Sequence, residues 1–483
     1  MSHSSTWEEP DRSTPRQVAV LTTVLHYDDL LADASSALVL PDAAQVFIGR
    51  APDAPAPRSS ARDPASLELA DRWASGRHAA IQRTGDDRAG PADLIQDEGS
   101  RNGTYVNGER LRGRQRLISG DLIEVGHTLL CYRTMDDAIA KVLSDSGPIQ
   151  LGPTRTRSPE VATLVQDIER IAPSREPILV LGETGVGKEV VARMVHDKSG
   201  RRGPLVTLDC GAIPESLFEA TLFGHRRGAF TGAGEARVGE IVRGSGGTVF
   251  LDEAANMSMA SQAKLLRVIE EGSVLSLGGV EPERVDVRWI AATNSRGITN
   301  DGEFRADLLR RLAGFVARVP PLRKRREDLG TLAAHVLREA GISRASITAP
   351  AGRRLFCDSF AGNVRQLRST LRAAALLVGG GPIDIAQLDA LAVDGADDDD
   401  PRRAEPGAAG PASEGGGRRG LSSAAPEPRR GERAIDRKVI EDLLDTTGGN
   451  VVRAAEQLGV HPRQLYRYIK RFEVPLDRFR GTE

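Results

Sequence analysis

The chain has 483 residues, 40% hydrophobic and 27% charged, with a formal net charge of -2. That length exceeds one ordinary core, so three or four domains are expected, and the balanced charge excludes a uniformly basic nucleic-acid coat while leaving room for one local DNA-binding module. Three widely separated cysteines, Cys131, Cys210 and Cys357, give no C-x-x-C metal spacing and no disulfide framework, which fits a reducing cytoplasm.

Residues 1–16 are polar and read as disordered, without the apolar stretch a signal peptide needs. From 17 to 134 short apolar runs, VAVLTTVL, QVFIG, DLI and LLCY, are punctuated by Gly, Asn and Asp, which predicts an all-β sandwich. Residues 135–150 read as a connection with a short helix over 136–143. From 151 to 322 buried strand-like runs such as ILVL, VFL and RWIAA alternate with helical periodicity, the pattern of an α/β domain. Residues 323–391 read as helices, the segment that the resemblance named below makes a helical lid. Residues 392–433 are expected to be a disordered tether: from Asp394 to Arg433 Leu421 is the only large apolar side chain, too little to offset the ordering entropy. Helical spacing returns over 434–483. No run of about 18 apolar residues occurs, so no membrane helix is expected.

Within the first domain three clusters fall near turns: Phe47-Ile48-Gly49-Arg50, Ser75-Gly76-Arg77-His78, and Ser100-Arg101-Asn102-Gly103-Thr104-Tyr105-Val106-Asn107-Gly108. Together they resemble a forkhead-associated (FHA) domain, a family that binds phosphothreonine through loops. The resemblance implies that Arg50 and Ser75 hold phosphate, that Asn102 binds the peptide backbone, and that His78 supports the loop from within. Relatives frequently have Arg directly after the Ser; here Gly76 takes that place and Arg77 follows. No aspartate-receiver pattern is present.

In the α/β domain ILVL runs into Gly182-Glu183-Thr184-Gly185-Val186-Gly187-Lys188-Glu189 and then a helix. A strand, a Gly-rich loop and a helix N-terminus make a phosphate cradle of backbone N–H groups, and Lys188 adds a charge for the β/γ-phosphates of ATP. The strict P-loop has Ser or Thr after the Lys to touch Mg²⁺, where Glu189 stands here. Further on, Asp252 and Glu253 close a strand. Asp252 can hold the magnesium, directly or through water, and Glu253 can orient and deprotonate the attacking water.

Gly228-Ala229-Phe230-Thr231-Gly232-Ala233 spells an intact GAFTGA between these motifs. With it, residues 151–391 resemble the AAA+ domain of sigma-54-dependent activators, in which Glu after the P-loop Lys is usual. The resemblance implies that the 228–233 loop grips sigma-54, that Asn294 reports the γ-phosphate state, and that Arg305 and Arg311 reach into a neighbour's nucleotide, with Arg365 contacting the chain's own. Fingers acting in trans imply a head-to-tail ring, hexameric in that family. Two positions depart from the pattern. Asp209 stands where many relatives carry an Asn that holds the catalytic Glu, and facing Glu253 it is expected to repel it or share a proton with it. Phe360-Ala361 replaces a common Trp-Pro.

At the C-terminus, Ala454-Ala455 through Gly459, Pro462 and Leu465-Tyr466-Arg467 read as helix, turn, helix. Between 448 and 480 seven Lys/Arg oppose three Asp/Glu, a local net of +4. The segment resembles the Fis-type DNA-binding domain. Arg463, Gln464 and Arg467 are candidates for base edges, and Lys470 for phosphate. The helix over 436–446 is expected to pair two subunits on a palindromic enhancer site.

The expected protein is thus a cytoplasmic, multidomain ATPase: all-β FHA sandwich, α/β P-loop AAA+ domain with helical lid, and all-α helix-turn-helix. It would use ATP and Mg²⁺ to let sigma-54 RNA polymerase open promoters, under control of a phosphothreonine-bearing partner. The alternative is a DNA-bound phosphoprotein adaptor or repressor whose ATPase is regulatory or silent.

Overall fold

The computed structural model describes residues 16–32, 37–40, 45–51, 58–59, 66–86, 90–145, 147–230, 234–294, 304–391 and 437–447, with Ala454, Gln457, Leu458, Ile469 and Val474. The segments expected to be unstructured, 1–16 and 392–433, lie outside these residues except for Arg16, whose carbonyl accepts the Asp137 N–H at 2.9 Å. The chain divides into two compact units, Met1–Asp398 and Asp399–Glu483.

The first unit begins with an all-β sandwich of two six-stranded sheets. One runs Ala37–Val39, Gln17–His26, Thr128–Asp136, Asp121–Val125, Thr104–Val106, Glu109–Arg110; the other Gln115–Arg116, Gly90–Asp97, Ala79–Asp86, Gln45–Arg50, Ser66–Leu69, Arg58–Ser59. Between the sheets Leu21, Ile48, Ile81, Ile95, Ile123, Leu130 and Tyr132 form one core.

A sandwich strand ordinarily alternates buried and solvated residues. Gln17–His26 does not: the eight residues 18–25 are all buried. Ala19 and Leu21 face the sandwich core, whereas Val18 and Val20 pack with Met135 of the neighbouring strand and with Ala140 and Leu143 of the following helix, Asp137–Asp145. Further along, Val24, Leu25 and Tyr27, joined by Leu122, Leu129 and Cys131, enter a core with Leu329, Leu332, Ala333, Phe356 and Phe360 of the helical lid. The outer face of the first sheet is therefore roofed by the lid. Two glycines permit this approach. A Cβ at Gly330 would lie 1.8 Å from the Val24 carbonyl oxygen, and one at Gly352 2.5 Å from the Tyr27 ring. Main-chain bonds cross the junction as well, Leu30 N–H to Ala345 O at 2.9 Å and Ile347 N–H to Tyr27 O at 2.8 Å.

The α/β part is a five-stranded, all-parallel sheet in the order Leu205–Asp209, Thr248–Asp252, Arg288–Thr293, Ile178–Leu181, Phe315–Arg318. Its three central strands are apolar and buried because helices cover both faces. Val161, Val165, Val191 and Val195 of Pro159–Ile171 and Lys188–Lys198 pack on Ile178, Val180, Phe250 and Ile290; Phe218, Leu265 and Leu308 pack on Leu179, Val249, Leu251 and Ala291. The lid consists of Leu329–Glu339, Ala349–Phe356, Asn363–Val378 and Ile385–Leu391.

In the second unit the helix Arg437–Thr446 buries Ile440 and Leu444, and Ala454, Ile469 and Val474 are buried too. No helix among the described residues is long and apolar enough to cross a membrane.

Candidate functional site

The phosphate loop leaves a fully buried strand, Ile178–Leu181, and enters the helix Lys188–Lys198. Gly185 and Gly187 take φ of 77° and 99°, the left-handed backbone that turns successive N–H groups to one side. Lys188 Nζ donates to the carbonyls of Gly182 at 3.1 Å and Glu183 at 3.3 Å. Burial lowers the Lys188 pKa, Asp252 and Glu253 raise it, and Arg365 lowers it again. These four side chains thus share one electrostatic neighbourhood, as the sequence motifs require.

The lid closes on the loop through Arg323, which sequence reasoning missed, and through Asn363 and Val364 beside Arg365, to which it gave no role of their own. Arg323 makes a two-pronged ion pair with Glu183, at 2.8 and 2.5 Å. Asn363, fully buried, donates to Glu183 Oε2 at 3.1 Å and to the Thr184 carbonyl at 3.0 Å, and its Oδ1 accepts the Leu322 N–H at 2.8 Å. The Val364 N–H reaches the Gly185 carbonyl at 3.0 Å. Glu183 is held below its usual pKa range by the Arg323 hydrogen bonds. Glu189 is exposed on the first helical turn, 3.8 Å from Arg193. A cavity of about 780 Å³ opens beside the loop, lined by Leu151, Val190, Met194, Leu332 and Arg368 among others. It is large enough for a nucleotide's base and sugar, and its apolar lining carries no motif a sequence scan could find.

Asp252 ends the strand beside Asp209 in register, and burial pushes its carboxyl above the ordinary range. Among the described residues no group of three or more His, Cys, Asp or Glu could hold a metal. Asp252 would be the protein group to hold a Mg²⁺ ion, a cation that keeps much of its hydration and needs few protein ligands. Glu253 adopts φ 51° and receives the Asn256 amide N–H at 2.9 Å. Asp209 does not pair with Glu253: its Oδ1 accepts the N–H groups of Gly211 at 3.0 Å and Ala212 at 3.2 Å.

Asn294 follows the strand Arg288–Thr293, next to the P-loop strand, and Gly182 N–H bonds the Thr293 carbonyl at 3.3 Å. Arg305 and Arg311 sit apart from this cluster. Arg305 forms a fork with Asp307 at 3.1 and 2.7 Å, which holds Asp307 down at about 2, and Arg311 is exposed. Among the described contacts neither has a hydrogen bond or ion pair with its own phosphate loop.

The helix Glu215–Phe223 leads to the 228–233 loop. Gly228 has φ 79°, and Phe230, 37% exposed, meets the His225 ring edge-on at 5.1 Å. Thr231, Gly232 and Ala233 lie outside the described residues. A second loop supports this one: Arg226 N–H bonds Leu277 O at 3.0 Å, and Leu275 and Val280 beside it are 53% and 91% exposed. Its sequence bore no recognisable signature.

In the sandwich the loops that carry Arg50, Ser75 and Asn102 come together. Arg50 N–H donates to Ser75 O at 2.8 Å, Arg101 N–H to Ser75 Oγ at 3.2 Å, and Asn102 Nδ2 to Trp73 O at 2.7 Å. His78 is buried and supports both loops, bonding the Ser75 N–H at 3.1 Å and the Gly103 carbonyl at 3.1 Å. Arg77 is drawn away, 3.9 Å over the Phe47 ring and 3.7 Å from Glu98. Arg463, Gln464, Arg467 and Lys470 lie outside the described residues.

Four family models match in chain order: the FHA domain over 46–126, the Sigma-54 interaction domain over 154–317, the AAA+ ATPase lid domain over 323–405, and the Bacterial regulatory protein, Fis family, over 433–472. The nitric oxide reductase transcription regulator NorR2 of Cupriavidus necator is 39% identical over 333 residues, 65% of this chain and 62% of that protein. The transcriptional regulatory protein FlbD of Caulobacter vibrioides is 37% identical over 347 residues, 69% of this chain and 72% of that one. Among solved structures, NtrX from Brucella abortus in complex with ATP is 27% identical, covering 70% of this chain and 73% of that one with a TM-score of 0.46. The chain belongs to the family of sigma-54-dependent transcriptional regulators, with an FHA domain at its N-terminal side.

Proposed function

We propose that this protein hydrolyses ATP to remodel sigma-54 RNA polymerase at promoters while bound to enhancer DNA. The observation that carries this reading is that one parallel sheet sends the phosphate loop and Lys188 from one strand and Asp252 and Glu253 from another, with the helix of Arg365 bonded to the loop, in a domain that also displays Phe230. Lys188 and the loop N–H groups hold the phosphates, Asp252 binds Mg²⁺, and Glu253 orients and deprotonates water. Asn294 reads the γ-phosphate and Arg365 contacts the nucleotide. Arg305 and Arg311 enter the neighbouring subunit's site in a ring, where an arginine finger is worth about 10³–10⁵ in rate. Phe230 and Thr231 then engage sigma-54.

Control enters through the sandwich. A phosphothreonine peptide docks on Arg50, Ser75 and Asn102. The sandwich shares an apolar core with the lid, and the lid holds the phosphate loop through Arg323 and Asn363. A displaced sandwich would therefore alter the nucleotide site and ring assembly. The helix-turn-helix, with Arg463, Gln464, Arg467 and Lys470 towards DNA, anchors the assembly at a palindromic site. Open-complex formation on a sigma-54 promoter, with ATP and loop variants, tests the reading.

A further inference from the structure

The side chain that holds Glu253 is not the one expected from the motif. An ionised carboxylate accepts hydrogen bonds and cannot donate them, so ionised Asp209 cannot tether another carboxylate, and its Oδ1 is turned instead to the Gly211 and Ala212 N–H groups. The only partner that can tether Glu253 in this way is a donor, and Asn256 supplies it. Its amide donates to Glu253 Oε2 at 2.9 Å, and its main-chain N–H donates to the Glu253 carbonyl at 2.8 Å. A carboxylate oxygen facing an amide requires the nitrogen there, which fixes the orientation of the Asn256 side chain.

The backbone supports the same conclusion. Glu253 sits at φ 51°, a left-handed conformation uncommon for a residue with a side chain, and caps the short turn Ala254–Asn256. Strain of this kind persists only where surrounding bonds over-determine it, and the two Asn256 bonds do so. The floor beneath is bare: a Cβ on Gly211 would lie 2.6 Å from Glu253 Oε2, 2.8 Å from Asn256 Nδ2 and 3.5 Å from Asp209 Oδ1. Only glycine leaves the pair its place.

We propose that Asn256 is the positioning residue for Glu253, taking the role that Asp209 cannot perform; the inference rests on the ATPase reading above. A cavity of about 300 Å³ adjoins the pair, lined by Asn256, Gly211 and Phe218 of the helix that leads to the 228–233 loop. The tether is therefore one helix away from the sigma-54 loop.

The test is steady-state ATP hydrolysis by the full-length protein and by N256A, N256D, N256Q and G211A, with E253Q as reference and thermal unfolding as the check on folding. Both Asn256 and Glu253 are exposed, so the Asn256 series is expected to fold normally. N256A is expected to lose about ten- to a hundredfold in kcat with KM for ATP unchanged, because misplacing a catalytic group acts on the chemical step. N256D has the same shape but no donor and a like charge, so it should fall below N256A. N256Q keeps the donor and should retain more kcat than N256A, while G211A, which crowds the pair, should resemble N256A. Wild-type kcat in N256D, a raised kcat in N256A, or losses confined to KM would overturn the proposal while Glu253-dependent turnover still upheld the ATPase. Absence of turnover sensitive to E253Q in the unmodified protein would overturn both.

Discussion

The Arg133 guanidinium, on the last strand of the sandwich, forms a buried ion pair with Glu327, 194 residues later at the start of the lid. Its Nη2 lies 2.9 Å from Glu327 Oε2, its Nε bonds Oε1, and it also reaches the Lys324 carbonyl. Burial works against the charge, but the Glu327 bonds outweigh it and hold the guanidinium more firmly protonated than usual. Removing one partner strands the other in the interior, so Arg133→Met and Glu327→Met should each cost about 3–5 kcal/mol in urea unfolding. The double variant should be more stable than either single one. Additive losses would mean that the two charges do not act as a pair.

A second contact across this junction titrates near neutrality. Burial raises the Glu124 carboxyl from 4.5 to about 7, with the Arg353 charge and the Tyr27 hydroxyl bond opposing. The folded value is the higher one, so the contribution of Glu124 is fully present below its unfolded value near 4.5 and lost as pH rises through 7. The difference amounts to about 3 kcal/mol. Unfolding of the wild type and Glu124→Gln compared between about pH 5 and 8 should show the variant gaining relative stability as pH rises. Parallel curves would contradict this.

Asn363 makes three bonds from a buried position at φ 52°, two to the phosphate loop and one to the Leu322 N–H. Asn363→Ala leaves the Leu322 N–H and the Thr184 carbonyl without partners and should cost about 1–3 kcal/mol, expressed as a lower melting temperature and weaker nucleotide binding. Calorimetry with a non-hydrolysable ATP analogue measures both. Unchanged affinity would show that the lid does not set the loop.

At the phosphopeptide site the two arginines should differ. Arg50 converges with Ser75, while Arg77 is engaged by Phe47 and Glu98. Charge-assisted bonds are worth about 1.5–3 kcal/mol, so Arg50→Ala should weaken a phosphothreonine peptide by about ten- to a hundredfold and Arg77→Ala by much less. Fluorescence anisotropy with the full-length protein decides the order, and a larger loss at Arg77 would reverse the assignment.

The nucleotide motifs were legible because their chemistry constrains the backbone. Gly185 and Gly187 need left-handed φ, and Asp252 must end a strand. The sandwich was legible from its short runs and turns. What could not be read was which surface each apolar face meets. Val24, Leu25 and Cys131 look alike in sequence whether they cover a lid or their own sheet, and Arg133 and Glu327 are ordinary charges until the fold brings them together. One hint was present. The unbroken run VAVLTTVL has no solvated alternation, as a strand covered on both faces must lack it. Asn256 was invisible for a different reason, since its importance depends on where the Glu253 side chain turns.

The most direct measurement is open-complex formation by sigma-54 RNA polymerase on an enhancer-bearing promoter, with ATP, this protein and its Phe230→Ala variant. The account predicts promoter melting that requires hydrolysable ATP and is abolished by Phe230→Ala while ATP turnover and DNA binding persist. Equal melting with the variant, or melting without hydrolysable ATP, would contradict it.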